Sequence, residues 1–122
     1  MSSWFAFGIV HTAPVGLRFV ASAQAHLAMQ HGRRTMMMEI PMLVDARGAD
    51  YLLTNYEVVF LREFRARPHW GLDLDVIRNA ETVRWLYPES YPKWERVYRE
   101  LNARGTFNGP FTDRLGISLG QP

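Results

Sequence analysis

The chain has no cysteine, and Lys93 is its single lysine among 122 residues. Without cysteine, neither a disulfide framework nor a thiolate metal site can form, and thiols say nothing about the redox compartment. The basic side is therefore almost wholly arginine. Those arginines are scattered among the acids rather than gathered into a run, and the formal net charge is only +2. The electrostatic footprint of a nucleic-acid binder is missing. Long apolar runs are missing too: Arg, Glu, Pro or Gly interrupts each one before the roughly 20 residues needed to cross a bilayer. The apolar stretch Trp4 to Val10 has no Lys or Arg before it. The triplet Ala21-Ser22-Ala23 follows Pro14 and Arg18, which is the wrong setting for a signal-peptide cleavage site. A cytoplasmic location is expected, with peripheral membrane association as the alternative.

Several chemical signatures are also absent. There is no glycine-rich phosphate loop and no Gly-x-Ser-x-Gly elbow, so a self-contained nucleotide enzyme has no support. His26 and His31 are five apart and do not stack on one helix face, and His11 and His69 have no neighbouring ligand motif, so no metal site is expected. Asp73 and Asp75 lack the glycine and terminal glutamate of a calcium loop and are read as helix caps.

What is present is apolar and aromatic. Hydrophobic residues make up 48% of the chain, aromatics 13% and charged residues 21%, a composition that folds rather than stays disordered and suffices for one domain spanning 1–122. Trp4 to Thr12 and Leu17 to Ala21 read as short strands. Ala23 to Gln30 reads as a turn of helix stopped by Gly32. Thr35 to Val44 alternates with period two around Met36, Met38, Ile40 and Met42 and reads as a third strand, with Pro41 marking an edge or an end. Asp50 would cap a helix to about Ala66, with Leu53, Tyr56, Phe60 and Phe64 on one stripe and Pro68 as its stop. A weaker helix is expected from Asp75 to Leu86. A well-marked one opens at Pro92, sets Trp94, Val97, Tyr98 and Leu101 on one face, and carries Glu95–Arg99 and Arg96–Glu100 pairs before Gly105. The glycine- and proline-rich tail reads as an extended strap.

Three local features stand out. Arg18 lies mid-strand between Leu17 and Phe19, where a charge is expected only if it meets water, a ligand or a partner. The methionines at 36, 37, 38 and 42 suit an adaptable pocket, although core packing is the more ordinary use. His69-Trp70-Gly71 places a titratable ring, an amphipathic ring and a flexible backbone directly after a helix stop.

The order of these elements resembles the C-terminal segment of the FAD-linked D-arabinono-1,4-lactone oxidase family, with alditol oxidases as relatives in the vanillyl-alcohol-oxidase fold. The residues that carry the resemblance are Pro14-Val15-Gly16-Leu17-Arg18-Phe19-Val20-Ala21, Arg67-Pro68-His69-Trp70-Gly71, Tyr91-Pro92-x-Trp94, Phe107-Asn108 and Arg114-Leu115-Gly116, so that nearly the whole chain takes part. It implies the substrate-binding cap of an oxidoreductase acting on the CH–OH group of a sugar, polyol or lactone. FAD would be held by a larger flavin domain or a partner subunit. It also implies Arg18, His69 and Trp70 as substrate-binding residues, with His69 catalytic; no cofactor-binding residue is identified in this segment.

Two positions depart from the family pattern. The glutamate of its Glu-x-Arg strand motif is Gly16 here, and the lysine after its His-Trp-Gly is Leu72. These departures support a competing reading, a non-catalytic remnant or partner subunit that keeps the fold. Either way, an apolar surface at Phe107, Phe111 and Trp94 is expected where a flavin-domain subunit or a second copy would sit. The expected fold class is α+β: a small antiparallel sheet from Phe5 to Val44 with the Asp50 to Ala66 helix packed on its apolar face, then a C-terminal helix and a strap.

Overall fold

Strand-forming residues meet a turn twice in the first forty positions, and the result is an antiparallel ribbon. The computed structural model describes residues 11–72 and 76–120. In it β1 (Gly16–Val20) pairs with β2 (Thr35–Glu39), so that Gly16 faces Glu39, Arg18 faces Met37 and Val20 faces Thr35. Side chains alternate across a strand. The opposite face therefore carries Leu17, Phe19, Met36 and Met38, and all four are exposed, Phe19 at 79%.

β2 ends at Glu39 and does not run on to Val44, because Pro41 has no ladder donor. The expected strand from Trp4 to Val10 lies outside the described residues. Ala23 to Gln30 is not helical: tight turns (Ala28 N–H to the Ala25 carbonyl, 3.1 Å; His31 N–H to the Ala28 carbonyl, 2.9 Å) are closed by a bridge between Ala23 and His31. A short helix survives only with an apolar stripe to bury, and the alanines here supply little.

α1 (Ala49–Phe64) begins after Gly48, whose φ of 76° turns the chain into the helix. Asp50, expected as the cap, falls instead in the first turn, where its charge suits the positive end of the helix dipole. Tyr56 stacks on Phe60 and Phe60 meets Phe64 edge to face, with ring centroids 5.7 and 6.2 Å apart. α2 (Ala80–Leu86) is shorter than expected. Its N-cap is Asn79, whose side chain accepts the Thr82 N–H at 2.8 Å; Asp73 and Asp75 lie outside the described residues. α3 (Tyr91–Leu101) follows with Pro92 in its first turn. Glu95 pairs with Arg99 at 3.1 Å and also with Arg84 of α2 at 3.3 Å, tying the two helices. The strap contains one short helix, α4 (Pro110–Leu115), which opens on proline and ends at Gly116 with φ 69°. Among the described residues no helix is long and apolar enough to cross a membrane.

The fold is α+β, but its core lies in the C-terminal half and not on the ribbon. Ile77, Val83, Leu86, Tyr87, Tyr91, Leu115 and Ile117 are buried together, with Leu27, Leu61, Trp70 and Trp94 packed against them. α1 meets β2 across a cavity of about 550 Å³ instead of closing on it. Trp94, expected at the surface, joins the core; Phe107 and Phe111 are exposed at 59% and 39%. A fully buried Asn102 secures the strap. Its amide donates to the Tyr98 hydroxyl (2.8 Å) and to Asn108 Oδ1 (2.9 Å), and its carbonyl oxygen accepts the Phe107 N–H at 2.6 Å. Asn108 in turn holds Leu119 through both its amide atoms, at 2.7 and 3.1 Å.

Tyr87 and Tyr91 are fully buried, yet neither hydroxyl has a hydrogen-bond partner among the described residues. Burial pushes both phenols above the ordinary tyrosine value, although Arg67 beside Tyr87 and Arg84 beside Tyr91 pull the other way. With the folded value raised, the unfolded chain ionises first as pH climbs. The stability tied to these groups is therefore intact below about pH 10 and lost above it. An unpaired buried hydroxyl costs roughly 1 to 3 kcal/mol. Tyr87→Phe is thus expected to match or exceed the parent by up to about 1 kcal/mol at neutral pH, and to lose less stability in alkali. Urea unfolding at both pH values checks this; a loss of more than about 1 kcal/mol at neutral pH would show that the hydroxyl is satisfied after all.

Candidate functional site

The segment from Arg65 to Leu72 links α1 to the core, and each of its residues has a distinct job. Arg65, with φ 48°, ends the helix, and its guanidinium donates to the Trp85 carbonyl while lying 4.7 Å from the Trp85 ring. Arg67 follows, and Pro68 fixes the backbone after it. The Arg67 guanidinium donates to the carbonyls of Leu86 (3.1 Å), His31 (2.7 Å) and Met29 (3.4 Å), and lies 4.2 Å from the centroid of the Tyr87 ring. Burial, then the neighbouring Arg33, draws its pKa below the ordinary arginine value, with Tyr87 opposing. One side chain thus clamps the 29–31 loop to the end of α2.

Trp70 makes the second clamp. Its indole N–H donates to the Leu27 carbonyl at 2.7 Å, and its ring packs against Tyr87 and edge-on to Phe111. Around the second clamp the chain turns, with the Leu72 N–H bonded to the His69 carbonyl at 3.1 Å. The Gly71 N–H donates to His69 Nδ1 at 3.2 Å. His69 is exposed and lines the cavity between β2 and α1, which Leu72 also borders. The cavity's apolar wall comes from Met36, Met38, Phe60 and Phe64, with Arg33, Arg34 and Glu57 among its polar groups.

Arg18 stands elsewhere. It is exposed on the ribbon, its Nη2 3.1 Å from each carboxylate oxygen of Glu39, and it does not border the cavity that His69 lines. Glu39 lies directly opposite Gly16, and a Cβ on Gly16 would approach its Oε2 to 3.5 Å. A carboxylate therefore occupies the space beside Gly16, delivered from the neighbouring strand. The structure thus groups His69 with Leu72 at the cavity, places Trp70 in the core beneath them, and leaves Arg18 on the ribbon with Glu39.

Sequence reasoning missed Glu39, Glu57 and the clamping role of Arg67. Cross-strand register, which no local pattern announces, is what brings Glu39 to Gly16. Glu57 sits in the middle of the α1 pattern with nothing to distinguish it from a solvated helix residue.

A flavin's pyrophosphate needs a helix N-terminus or glycine-rich turn with free donors. α1, α2 and α4 each carry an acid in the first turn (Asp50, Glu81, Asp113), and α3 has Pro92 there. The described residues do not fit FAD as a resident group.

Compared with known proteins, residues 6–115 match the family described as D-arabinono-1,4-lactone oxidase. No curated protein and no solved structure matches the chain.

Proposed function

From the premise that the chain belongs to the D-arabinono-1,4-lactone oxidase family, we propose that it is a single-domain, C-terminal substrate-binding part of a FAD-dependent oxidoreductase acting on the CH–OH group of a sugar, polyol or lactone. The observation that carries this reading is the family match across residues 6–115. The clamped turn that presents His69 beside a cavity supports it. FAD would be held by a part outside these 122 residues, whether continuous with this chain or a separate subunit.

Within this chain the substrate contacts fall to Arg18 and His69, and Trp70, expected from the sequence as a third contact, serves them from the core. Arg18 offers a fork of donors and Glu39 beside it offers acceptors, a combination that suits vicinal hydroxyls. His69 supplies a nitrogen at the cavity, and Trp70 fixes the turn that carries it. The exposed ribbon face of Leu17, Phe19, Met36 and Met38 is where the flavin-bearing part would pack, because a lone two-stranded ribbon is marginally stable in water. The second reading, a partner that keeps the fold without activity, draws on Gly16 and Leu72 at positions where the family has a glutamate and a lysine.

The chain purified alone is expected to be colourless. Joined to the flavin-bearing part of a family member, it is expected to support flavin bleaching by a polyol or lactone under anaerobic conditions. Flavin co-purifying in stoichiometric amount with the isolated chain would contradict the division of labour. A complex that no such substrate bleaches would favour the non-catalytic reading.

A further inference from the structure

A histidine that meets a backbone N–H through one ring nitrogen has its proton placed on the other. Gly71 N–H donates to His69 Nδ1 at 3.2 Å, so in the neutral ring Nδ1 must hold a lone pair and Nε2 the hydrogen. Nε2 has no hydrogen-bond partner among the described residues.

The surroundings make this a constructed arrangement. The turn is closed by the Leu72 N–H on the His69 carbonyl (3.1 Å) and pinned below by Trp70 on the Leu27 carbonyl (2.7 Å). Gly71 is not among the residues with positive φ, so its backbone does not demand glycine. The ring fits closely against it: a Cβ at Gly71 would come within 3.2 Å of His69 Cε1 and 3.5 Å of Nδ1, so that the imidazole would have to give by a few tenths of an ångström. The missing side chain is the space into which the Nδ1–Cε1 edge of the imidazole fits.

We propose that Gly71 is a positioning residue that fixes His69 as an Nε2–H donor, so that the site recognises its substrate through an acceptor oxygen, a carbonyl, a ring ether or an alkoxide-like oxygen, and does not use His69 as a base. The inference rests on the reading of His69 as a substrate contact and specifies what that contact can do. Taking a proton at Nε2 would require either the imidazolium or the other tautomer, and each sets a hydrogen on Nδ1 against the Gly71 N–H. The bond to Gly71 opposes both. A donor at Nε2, by contrast, keeps its bond as a substrate hydroxyl becomes a carbonyl.

The chain contains its own control. His31 Nδ1 faces the Ala25 carbonyl at 3.0 Å, which requires a hydrogen on Nδ1 and hence the opposite tautomer. Nitrogen-15 spectra of the intact chain at alkaline pH, with neutral imidazoles, are expected to show His69 protonated at Nε2 only and His31 at Nδ1. A nitrogen–nitrogen coupling across the Gly71–His69 bond is expected as well. Gly71→Ala, which keeps the N–H but crowds the ring, is expected to weaken that coupling and mix the His69 tautomers. A hydrogen on Nδ1 of His69, or an interconverting mixture in the parent chain, would overturn the proposal without needing any variant to fold.

In the complete enzyme, His69→Gln retains an N–H donor and is expected to keep KM within a fewfold, whereas His69→Leu raises it by about tenfold, with kcat less affected. An equal collapse of kcat in both variants would restore the base role and overturn the donor reading. Failure of the flavin to bleach at all, with the tautomers as expected, would sink the proposed function and with it the recognition of a substrate oxygen, and would leave only the placement of the His69 proton by Gly71 standing.

Discussion

Arg67→Ala is expected to lower the unfolding free energy by about 3 kcal/mol, a large share of the 5 to 15 kcal/mol typical of a small domain. The guanidinium is a charged donor to three carbonyls and a cation on the Tyr87 ring. Charge-assisted bonds contribute roughly 1.5 to 3 kcal/mol each and do not add fully. Their removal frees the 29–31 loop from the end of α2 and leaves the Leu86 carbonyl unpaired. Arg67→Lys is expected to recover less than half of the loss, because an ammonium cannot span three carbonyls and lie flat on the ring at once. Equilibrium urea unfolding of the three chains measures the difference; an alanine variant within about 0.5 kcal/mol of the parent would mean that the clamp is ornamental.

A second large effect is expected at the ribbon. Leu17 and Phe19 are exposed at 52% and 79% on a face they share with Met36 and Met38. The double variant Leu17→Thr with Phe19→Thr keeps β-forming residues while removing most of that apolar area. If this face binds the flavin-bearing part, or a second copy in its absence, losing two large side chains removes about 3 kcal/mol or more and weakens association at least about 100-fold. Light scattering with an apolar dye reads the outcome on the isolated chain. A parent chain that stays monomeric at high concentration and binds no dye would show that the ribbon is not a partner surface, and Phe107 and Phe111 on the strap would be the next place to look.

Much of the fold was legible because it depends on local periodicity. The stripe of Tyr56, Phe60 and Phe64 marked α1, Pro92 marked the start of α3, and alternation about Met36 and Met38 marked β2. The location of the core was not legible. The ribbon's apolar residues looked like a buried face, yet Leu17, Phe19, Met36 and Met38 are exposed, and the core cluster is built from α2, α3 and α4 with Ile77, Tyr87 and Ile117 from the segments beside them. Alternation tells which residues share a face but not what covers it. α4 escaped notice because six residues between two glycines carry too little periodicity.

The site divides in the same way. The unusual composition of Arg67-Pro68-His69-Trp70-Gly71 drew attention to the right turn. Its internal division, with Arg67 and Trp70 as clamps and Gly71 as space for a ring, is a matter of three-dimensional contact. The likeness of Gly16 and Leu72 to lost family positions was visible in sequence, but the carboxylate of Glu39 opposite Gly16 required strand register.

The rate of flavin bleaching by an anaerobic polyol or lactone, with the chain joined to the flavin-bearing part of a family member, measures most directly whether these residues form the substrate side of an oxidase. Arg18→Ala and His69→Ala are each expected to slow it by about tenfold or more, the loss of roughly 1.4 kcal/mol of substrate interaction. Leu72→Lys is expected to quicken it, since a positive charge beside a reduced flavin stabilises the anion. Alanine variants that bleach as fast as the parent would contradict the assignment of Arg18 and His69 to the substrate.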